Sequence, residues 1–284
     1  KSAWNVLYKK AIVDDVPLWP SYFTREKLID IKRRFTEMGL VHKFAQEYLN
    51  EARDLESAKF HIDRINYYQG NLVERNGFNY MMVDESAIPV NVYIGVDLAY
   101  EANARRDFQV IMVIAIDSDR NIYVVDYYRE HSPLYDMPKR IVDMAKEYHP
   151  VRRVNVEKVG AQGLVKDYVN QLVGKDRKLA PGLSQGVRPP AGIKKEDRLE
   201  ALLCPIVNRR KMFIKKEHAS LVDEMFEFPK GRNDDLLDGL WYAVTTAKPP
   251  KSSAIDADKL EDKISKVEES RAKTVINWVT GQKI

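Results

Sequence analysis

Acidic residues cluster at the start of one predicted helix, in the stretch "GRNDDLLDGLW" (residues 231–241). Three aspartates, Asp234, Asp235 and Asp238, fall within five positions beside residues expected in a core. Carboxylates at a helix N-terminus stabilise it by ~0.3–1 kcal/mol each, so these residues could be helix caps. Carboxylate oxygens are also ligands of hard cations, so the same residues could hold a metal.

Two further acids end predicted strands. Asp97 follows the apolar run "VYIGV", and Glu157 follows "RVNV". A carboxylate beside a buried strand is costly unless it is paired, hydrogen-bonded or metal-bound. Ligands of open α/β sheets gather at the carboxyl ends of strands, so neighbouring strands would bring Asp97 and Glu157 together. The predicted helix at residue 234 must then supply a third acid.

Helical spacing ranks the acids of that helix. Its apolar stripe consists of Leu236, Leu237, Leu240, Trp241, Ala243 and Val244. At 100° per residue, Asp234 lies closest to this stripe, whereas Asp235 and Asp238 lie farther away. We therefore rank Asp234 first, with Asp235 as the alternative if the first turn is irregular.

Carboxylates without cysteine or clustered histidine ligands favour Mg²⁺ or Mn²⁺ over zinc. Two such ions ~3.5–4 Å apart can act on the attacking water and the leaving oxygen of a phosphodiester. In that arrangement Asp97 would bridge both ions, and Glu157 and Asp234 or Asp235 would each complete one. The residues alone thus support a two-metal nuclease and a structural role as helix caps and ion-pair partners equally.

The composition is compatible with one large domain or two. The chain has 284 residues, 44% of them hydrophobic, and Cys204 is its only cysteine, which excludes disulfides and cysteine-based zinc sites. No apolar run approaches the ~20 residues needed to cross a bilayer, and no signal peptide opens the sequence, so no membrane partner is expected. Because the chain begins with Lys1, we expect a fragment that lacks an N-terminal partner domain.

Changes in the residue pattern along the chain predict three regions. Residues 1–90 are expected to form a helical linker region, with Thr24 as a helix N-cap. Residues 91–248 are expected to form an α/β domain with a mixed sheet, which begins with a hairpin turning at residues 117–121. Residues 249–284 read as a linker and a helical tail.

Basic residues concentrate near the predicted site. Residues 175–198 hold seven Lys or Arg against three acids, and residues 209–216 hold five and none. Such patches indicate a polyanionic partner, most often nucleic acid, although a solvated surface is an equal alternative. The long loop at residues 175–195 suits DNA contact through the phosphate backbone. The candidates for phosphate contact are Lys158, Arg188, Lys194, Lys195 and Arg198.

Four segments together resemble the nuclease domain of phage large terminase subunits: "VYIGVDLAYEANARRDFQVIMV", "VNVEKVGAQG", "KKEDRLEALLCPIV" and "KGRNDDLLDGLWYA". The upstream "LWPSYFTREKLIDI" and "KFAQEYLNEA" are similar to the segment that links the terminase motor to its nuclease. The resemblance spans about residues 15–248. The chain departs from the family pattern at Asn233, where relatives often carry histidine, and it contains no phosphate-binding loop of an ATPase.

The resemblance implies a ribonuclease H-like fold and an endonuclease that cuts concatemeric double-stranded DNA with Mg²⁺ or Mn²⁺. It implies Asp97, Glu157 and Asp234 or Asp235 as metal ligands, and Asp107 as an accessory acid that could equally start a strand. It also implies a portal protein and a small terminase subunit as partners, and the host cytoplasm during phage assembly as the location. Two alternatives stay open: a resolvase-like nuclease, and a non-catalytic module that binds DNA or docks to the portal.

Overall fold

The computed structural model describes residues 9–13, 15–38, 40–50, 58–98, 108–158, 162–174, 179, 183–231 and 233–250. The chain divides by its contacts into two units, Lys1–Pro249 and Pro250–Ile284. Of the predicted C-terminal region, residues 251–284 lie outside the described residues.

The described part of the first unit contains both strands and helices. The strands are β1 (Ile12–Val13), β2 (Val16–Pro17), β3 (Asn66–Tyr67), β4 (Gly70–Arg75), β5 (Phe78–Val83), β6 (Ser86–Asp97), β7 (Gln109–Ile116), β8 (Ile122–Glu130), β9 (Val151–Glu157), β10 (Ser184–Val187) and β11 (Met212–Ile214). The α-helices are α1 (Arg25–Glu37), α2 (Val41–Tyr48), α3 (Met137–Glu147), α4 (Gln162–Val173), α5 (Lys195–Asn208), α6 (Ala219–Glu227) and α7 (Asp235–Val244). Among the described residues, no helix is long and apolar enough to cross a membrane.

The central sheet has the order β10-β9-β6-β7-β8-β11-β3. Strands β6, β7 and β8 pair antiparallel in sequence, whereas β9 runs parallel to β6 and β10 parallel to β9. Three antiparallel strands followed by two parallel strands on the far side of the first, with helices on both faces, form a ribonuclease H-like fold. The predicted fold class is confirmed.

Strand β7 lies at the centre of this sheet because every one of its residues is apolar or buried. Its side chains alternate between two cores. Val110, Met112 and Ile114 face a core shared with α5, α6 and α7, whereas Ile111 and Val113 face one shared with α3 and α4. The sheet is therefore covered by helices on both faces.

Glycine allows helix α7 to lie directly on β6. A Cβ atom at Gly95 would lie 2.2 Å from the backbone nitrogen of Ala243 and 2.2 Å from the carbonyl oxygen of Gly239. Gly239 in turn approaches the next strand, where its Cβ would lie 2.6 Å from a methyl group of Val110. Only glycine permits so close an approach at position 95, and this contact fixes the start of α7 near the end of β6.

Two local elements agree with the sequence patterns. Thr24 caps α1, because its hydroxyl accepts a hydrogen bond from the backbone N–H of Lys27 at 3.3 Å. The predicted hairpin joins β7 to β8, and its turn is held by Asp117, whose carboxylate accepts from the N–H of Asn121 at 2.8 Å.

The structure differs from the predicted regions in three respects. The expected helical region 1–90 contains the antiparallel strands β4 and β5, and β5 pairs with β6. The boundary drawn at residues 90/91 falls inside β6, because one long strand pairs with β5 in its first half and with β7 in its second. The predicted loop at residues 175–195 contains β10, whose four residues extend the sheet beside β9.

Replacing Gly95 with alanine should destabilise the fold by about 1–3 kcal/mol, because the new methyl group meets backbone atoms that cannot rotate away. The matched control is Gly174→Ala at the end of α4, where the nearest atom lies 3.4 Å away. Denaturant melts of both variants measure the difference. Equal stability of the two variants would contradict the close contact between β6 and α7.

Candidate metal centre

Two of the predicted acids lie side by side at the carboxyl ends of adjacent parallel strands. Val96 of β6 is in register with Val156 of β9, so Asp97 and Glu157, the last residues of these strands, come together at one edge of the sheet. Each side chain is only partly exposed. The pairing that the sequence left conditional is therefore present.

Helix α7 brings its acids to the same edge. Burial raises the pKa of Asp97 well above its usual value, and the negative charges of Asp238, Glu157 and Asp235 raise it further. The ammonium of Lys195 acts in the opposite direction. Asp97 therefore belongs to a carboxylate cluster that is short of positive charge, and a bound cation would favour its ionised form.

The carboxylates of Asp234 and Asp235 do not cap α7. Asp234 is the N-cap residue, but its side chain makes no capping hydrogen bond and instead binds the Lys195 ammonium at 2.7 Å. The Asp235 carboxylate lies 3.7 Å from the Arg129 guanidinium. Asp234 and Asp235 therefore pair with basic residues of neighbouring elements, Lys195 of α5 and Arg129 of β8.

Glu224 of α6 caps α7 in their place. Its Oε2 accepts hydrogen bonds from the backbone N–H of Leu236 at 2.9 Å and of Leu237 at 3.3 Å. Its other oxygen lies 3.1 Å from Arg129. Burial raises the pKa of Glu224 to about 8, against the opposing effect of Arg129. A capping carboxylate from another helix frees the carboxylates of Asp234 and Asp235 for other roles.

Sequence reasoning missed Asp238 as a member of this cluster. The helical wheel placed it far from the apolar stripe, yet only 3% of its side chain is exposed. The sheet covers one side of α7 and α5 covers another, so the helix is buried from Leu236 to Val244. The i,i+4 spacing of Asp238 from Asp234, on the same side of the helix, was the available signal.

Two cations from α5 neutralise Asp238. The Arg198 guanidinium donates to its Oδ1 at 2.7 Å, and the Lys195 ammonium binds its Oδ2. Burial raises the pKa of Asp238 to about 6, although both cations act to lower it. Arg198 also lies over the ring of Trp241, 4.8 Å from its centroid, which orients the guanidinium.

Tyr242 is a second residue that the sequence did not single out. Its side chain is fully buried in α7, and its hydroxyl lies 3.5 Å from the guanidinium of Arg198. Burial and the negative charges of Glu157 and Asp97 raise the pKa of the phenol, so it stays protonated. Tyr242 therefore lies near both the strand-end acids and Arg198 of α5.

The donor set suits Mg²⁺ or Mn²⁺, because it consists of carboxylate oxygens. A positive group already sits among them, since the Lys195 ammonium contacts both Asp234 and Asp238. In the part of the chain that the structure describes, no three acidic, histidine or cysteine side chains converge closely enough to hold an ion as they stand. Asp107, the predicted accessory acid, lies outside the described residues.

The predicted phosphate-contacting residues fall into two groups. Lys158, Arg188 and Lys194 are exposed, and Lys158 extends against Gly186 of β10. Lys195 and Arg198 instead face the acids of α7. The structure therefore separates three surface cations from two that belong to the carboxylate cluster.

No protein-family model and no curated protein matches this chain. Among solved structures, it is similar to the crystal structure of the large terminase nuclease from thermophilic phage G20c with bound zinc. The identity is 15% and the TM-score 0.45, over 66% of this chain and 96% of that chain. These values are too low to transfer a function, which must be argued from the residues of this chain.

Removing the Glu224 carboxylate should destabilise the protein by about 2–4 kcal/mol, because Glu224→Ala removes the cap of α7 and the nearer acidic partner of Arg129, which is left with Asp235 at 3.7 Å. The control is Glu227→Ala on the same helix, whose half-exposed pair with Lys32 at 3.6 Å contributes less than about 1 kcal/mol. Denaturant titration measures both. A loss at Glu224 as small as that at Glu227 would show that Glu224 does not hold the start of α7.

Proposed function

We propose that this chain is a metal-dependent endonuclease, the nuclease domain of a phage DNA-packaging terminase, which cuts concatemeric double-stranded DNA by two-metal phosphodiester hydrolysis. The observation that carries the proposal is the meeting of Asp97 and Glu157 with the acids of α7 at one edge of a ribonuclease H-like sheet. Acids held together at this edge are costly to the fold, which favours a functional role for them. The motif resemblance supports the terminase assignment.

The residues that would hold the ions are Asp97, Glu157 and Asp234 or Asp235, with Asp107 as an accessory candidate. When bound, Mg²⁺ or Mn²⁺ lowers the pKa of water and stabilises the charge that develops on the phosphate oxygens. The chain itself supplies orientation: Arg198 donates to Asp238 and to the Tyr242 hydroxyl, and Glu224 holds the start of α7.

Basic residues beside the acids favour DNA as the substrate. Lys158, Arg188 and Lys194 are exposed and can contact phosphates without reading base sequence. The terminase assignment further proposes a portal protein and a small terminase subunit as partners, in the host cytoplasm during phage assembly. These partners rest on the motif resemblance.

The catalytic assignment predicts Mn²⁺-dependent cutting of supercoiled plasmid that EDTA abolishes. Asp97→Asn and Glu157→Gln should each reduce cutting by more than about 100-fold, since even outer-shell partners of metal ligands contribute 10- to 100-fold. The control is Asp143→Asn, whose carboxylate pairs with Lys139 on the surface of α3. Full activity in Asp97→Asn would show that the acids have a structural role, and it would favour a DNA-binding or docking module.

Comparison of Asp234→Asn with Asp235→Asn in the same assay identifies the main ligand on α7. The larger loss of cutting is expected at Asp234, because its carboxylate pairs with the half-exposed Lys195, whereas Asp235 lies beside the more buried Arg129. A larger loss at Asp235 would reverse this order.

Substrate preference separates the terminase from a resolvase-like nuclease. A terminase nuclease should cut linear duplex and four-way junction DNA at comparable rates, because exposed cations recognise the phosphate backbone rather than a branch. Rates measured on end-labelled duplex and junction of equal length give the ratio. A strong preference for the junction would favour the resolvase.

A further inference from the structure

Lys195 and Arg198, the two cations that bind Asp238 of α7, differ in how tightly the surrounding residues pack around them. The Arg198 side chain is 9% exposed, bonds to Asp238 at 2.7 Å and lies over Trp241. The Lys195 side chain is 42% exposed and belongs to the first residue of α5. Arg198 is therefore fixed by packing, whereas Lys195 can leave its position by rotating its side chain into solvent.

The Lys195 ammonium bridges acids on successive turns of α7. It lies 2.7 Å from Oδ1 of Asp234 and also contacts Oδ2 of Asp238. Its charge acts on Asp97 as well. A compact ammonium surrounded by carboxylate oxygens has the surroundings that a hard divalent cation prefers.

We propose that Lys195 is a resident counter-ion of the acid cluster, which a divalent cation must displace from Asp234 before it binds. This inference rests on the proposed metal-dependent function. A divalent ion and an ammonium repel each other strongly at short range, and the Lys195 ammonium already binds Oδ1 of Asp234. Arg198 continues to neutralise Asp238 after the exchange, so Asp234 is the carboxylate that becomes free.

The exchange has two consequences for the chain. In the metal-free protein, Asp234 and Asp238 of α7 keep a basic partner, which lowers the electrostatic cost of holding them together. Once displaced, the Lys195 ammonium lies at the exposed start of α5 next to Lys194, where a DNA phosphate can accept it.

Calorimetric titration of Mn²⁺ into the full chain tests the exchange. Lys195→Met should bind Mn²⁺ at least about fivefold more tightly than wild type, the lower end of typical coupling between two binding events. The matched control is Lys59→Met, which removes an equal charge paired with Glu200 of the same helix at 2.8 Å and should leave Mn²⁺ affinity unchanged. Equal or weaker binding in Lys195→Met, or equal tightening in Lys59→Met, would overturn the proposal.

Amine acylation of the wild-type chain, read by mass spectrometry, gives a second measurement that needs no variant. Lys195 should be modified several-fold faster when Mn²⁺ is added, because its ammonium leaves the carboxylates. Lys59 serves as the internal reference, since its pair with Glu200 lies on another part of α5. An unchanged Lys195 rate at saturating Mn²⁺ would overturn the exchange.

The two proposals fail in different ways. If Asp97→Asn abolishes Mn²⁺ binding while Lys195→Met does not strengthen it, the metal site stands and the counter-ion role falls. If neither wild type nor Lys195→Met binds Mn²⁺, the metal-dependent function falls and the counter-ion role falls with it.

Discussion

The close contact between β6 and α7 at Gly95 is the constraint on which the candidate site depends. A helix normally packs on a sheet through a layer of side chains, which would hold its acids away from the strand ends. Here the absence of a Cβ at Gly95 lets the backbone of Gly239 and Ala243 rest on the strand. The α7 acids therefore reach the edge at which β6 and β9 end. A larger residue at position 95 would separate the two halves of the site.

Bringing so many acids to one edge creates an electrostatic cost, and the chain offsets it with cations from two directions. Arg129 reaches the cluster from β8 and joins Glu224 to Asp235, while Lys195 and Arg198 reach it from α5. Each acid on α7 consequently has a basic partner, whereas Asp97, which ends β6, depends on more distant charge. Asp97 is also one of the acids that would hold the ions of the proposed metal site.

The acids around the start of α7 have different structural roles. Glu224 supplies the carboxylate that satisfies the free N–H groups of α7, although it belongs to another helix. Asp234 and Asp235 thereby keep their carboxylates for Lys195 and Arg129, or for an ion that replaces one of these cations. The negative charge of all these residues still favours the helix N-terminus electrostatically.

Local pattern determined much of this protein. Apolar runs ending in Asp97 and Glu157 fixed the strands and their terminal acids, because strand length and burial are encoded residue by residue.

The local residue pattern did not determine the features that depend on contacts distant in sequence. Strands β4 and β10 are short and weakly apolar, so they form only because a neighbouring strand is present. Burial of Asp238 likewise required α5, which supplies the paired cations that make a buried carboxylate tolerable. The sequence by itself determined that acids end β6 and β9 and begin α7. The tertiary structure alone decided that Asp238 joins them and which cations they meet, because a charge pairs with the group nearest to it in space.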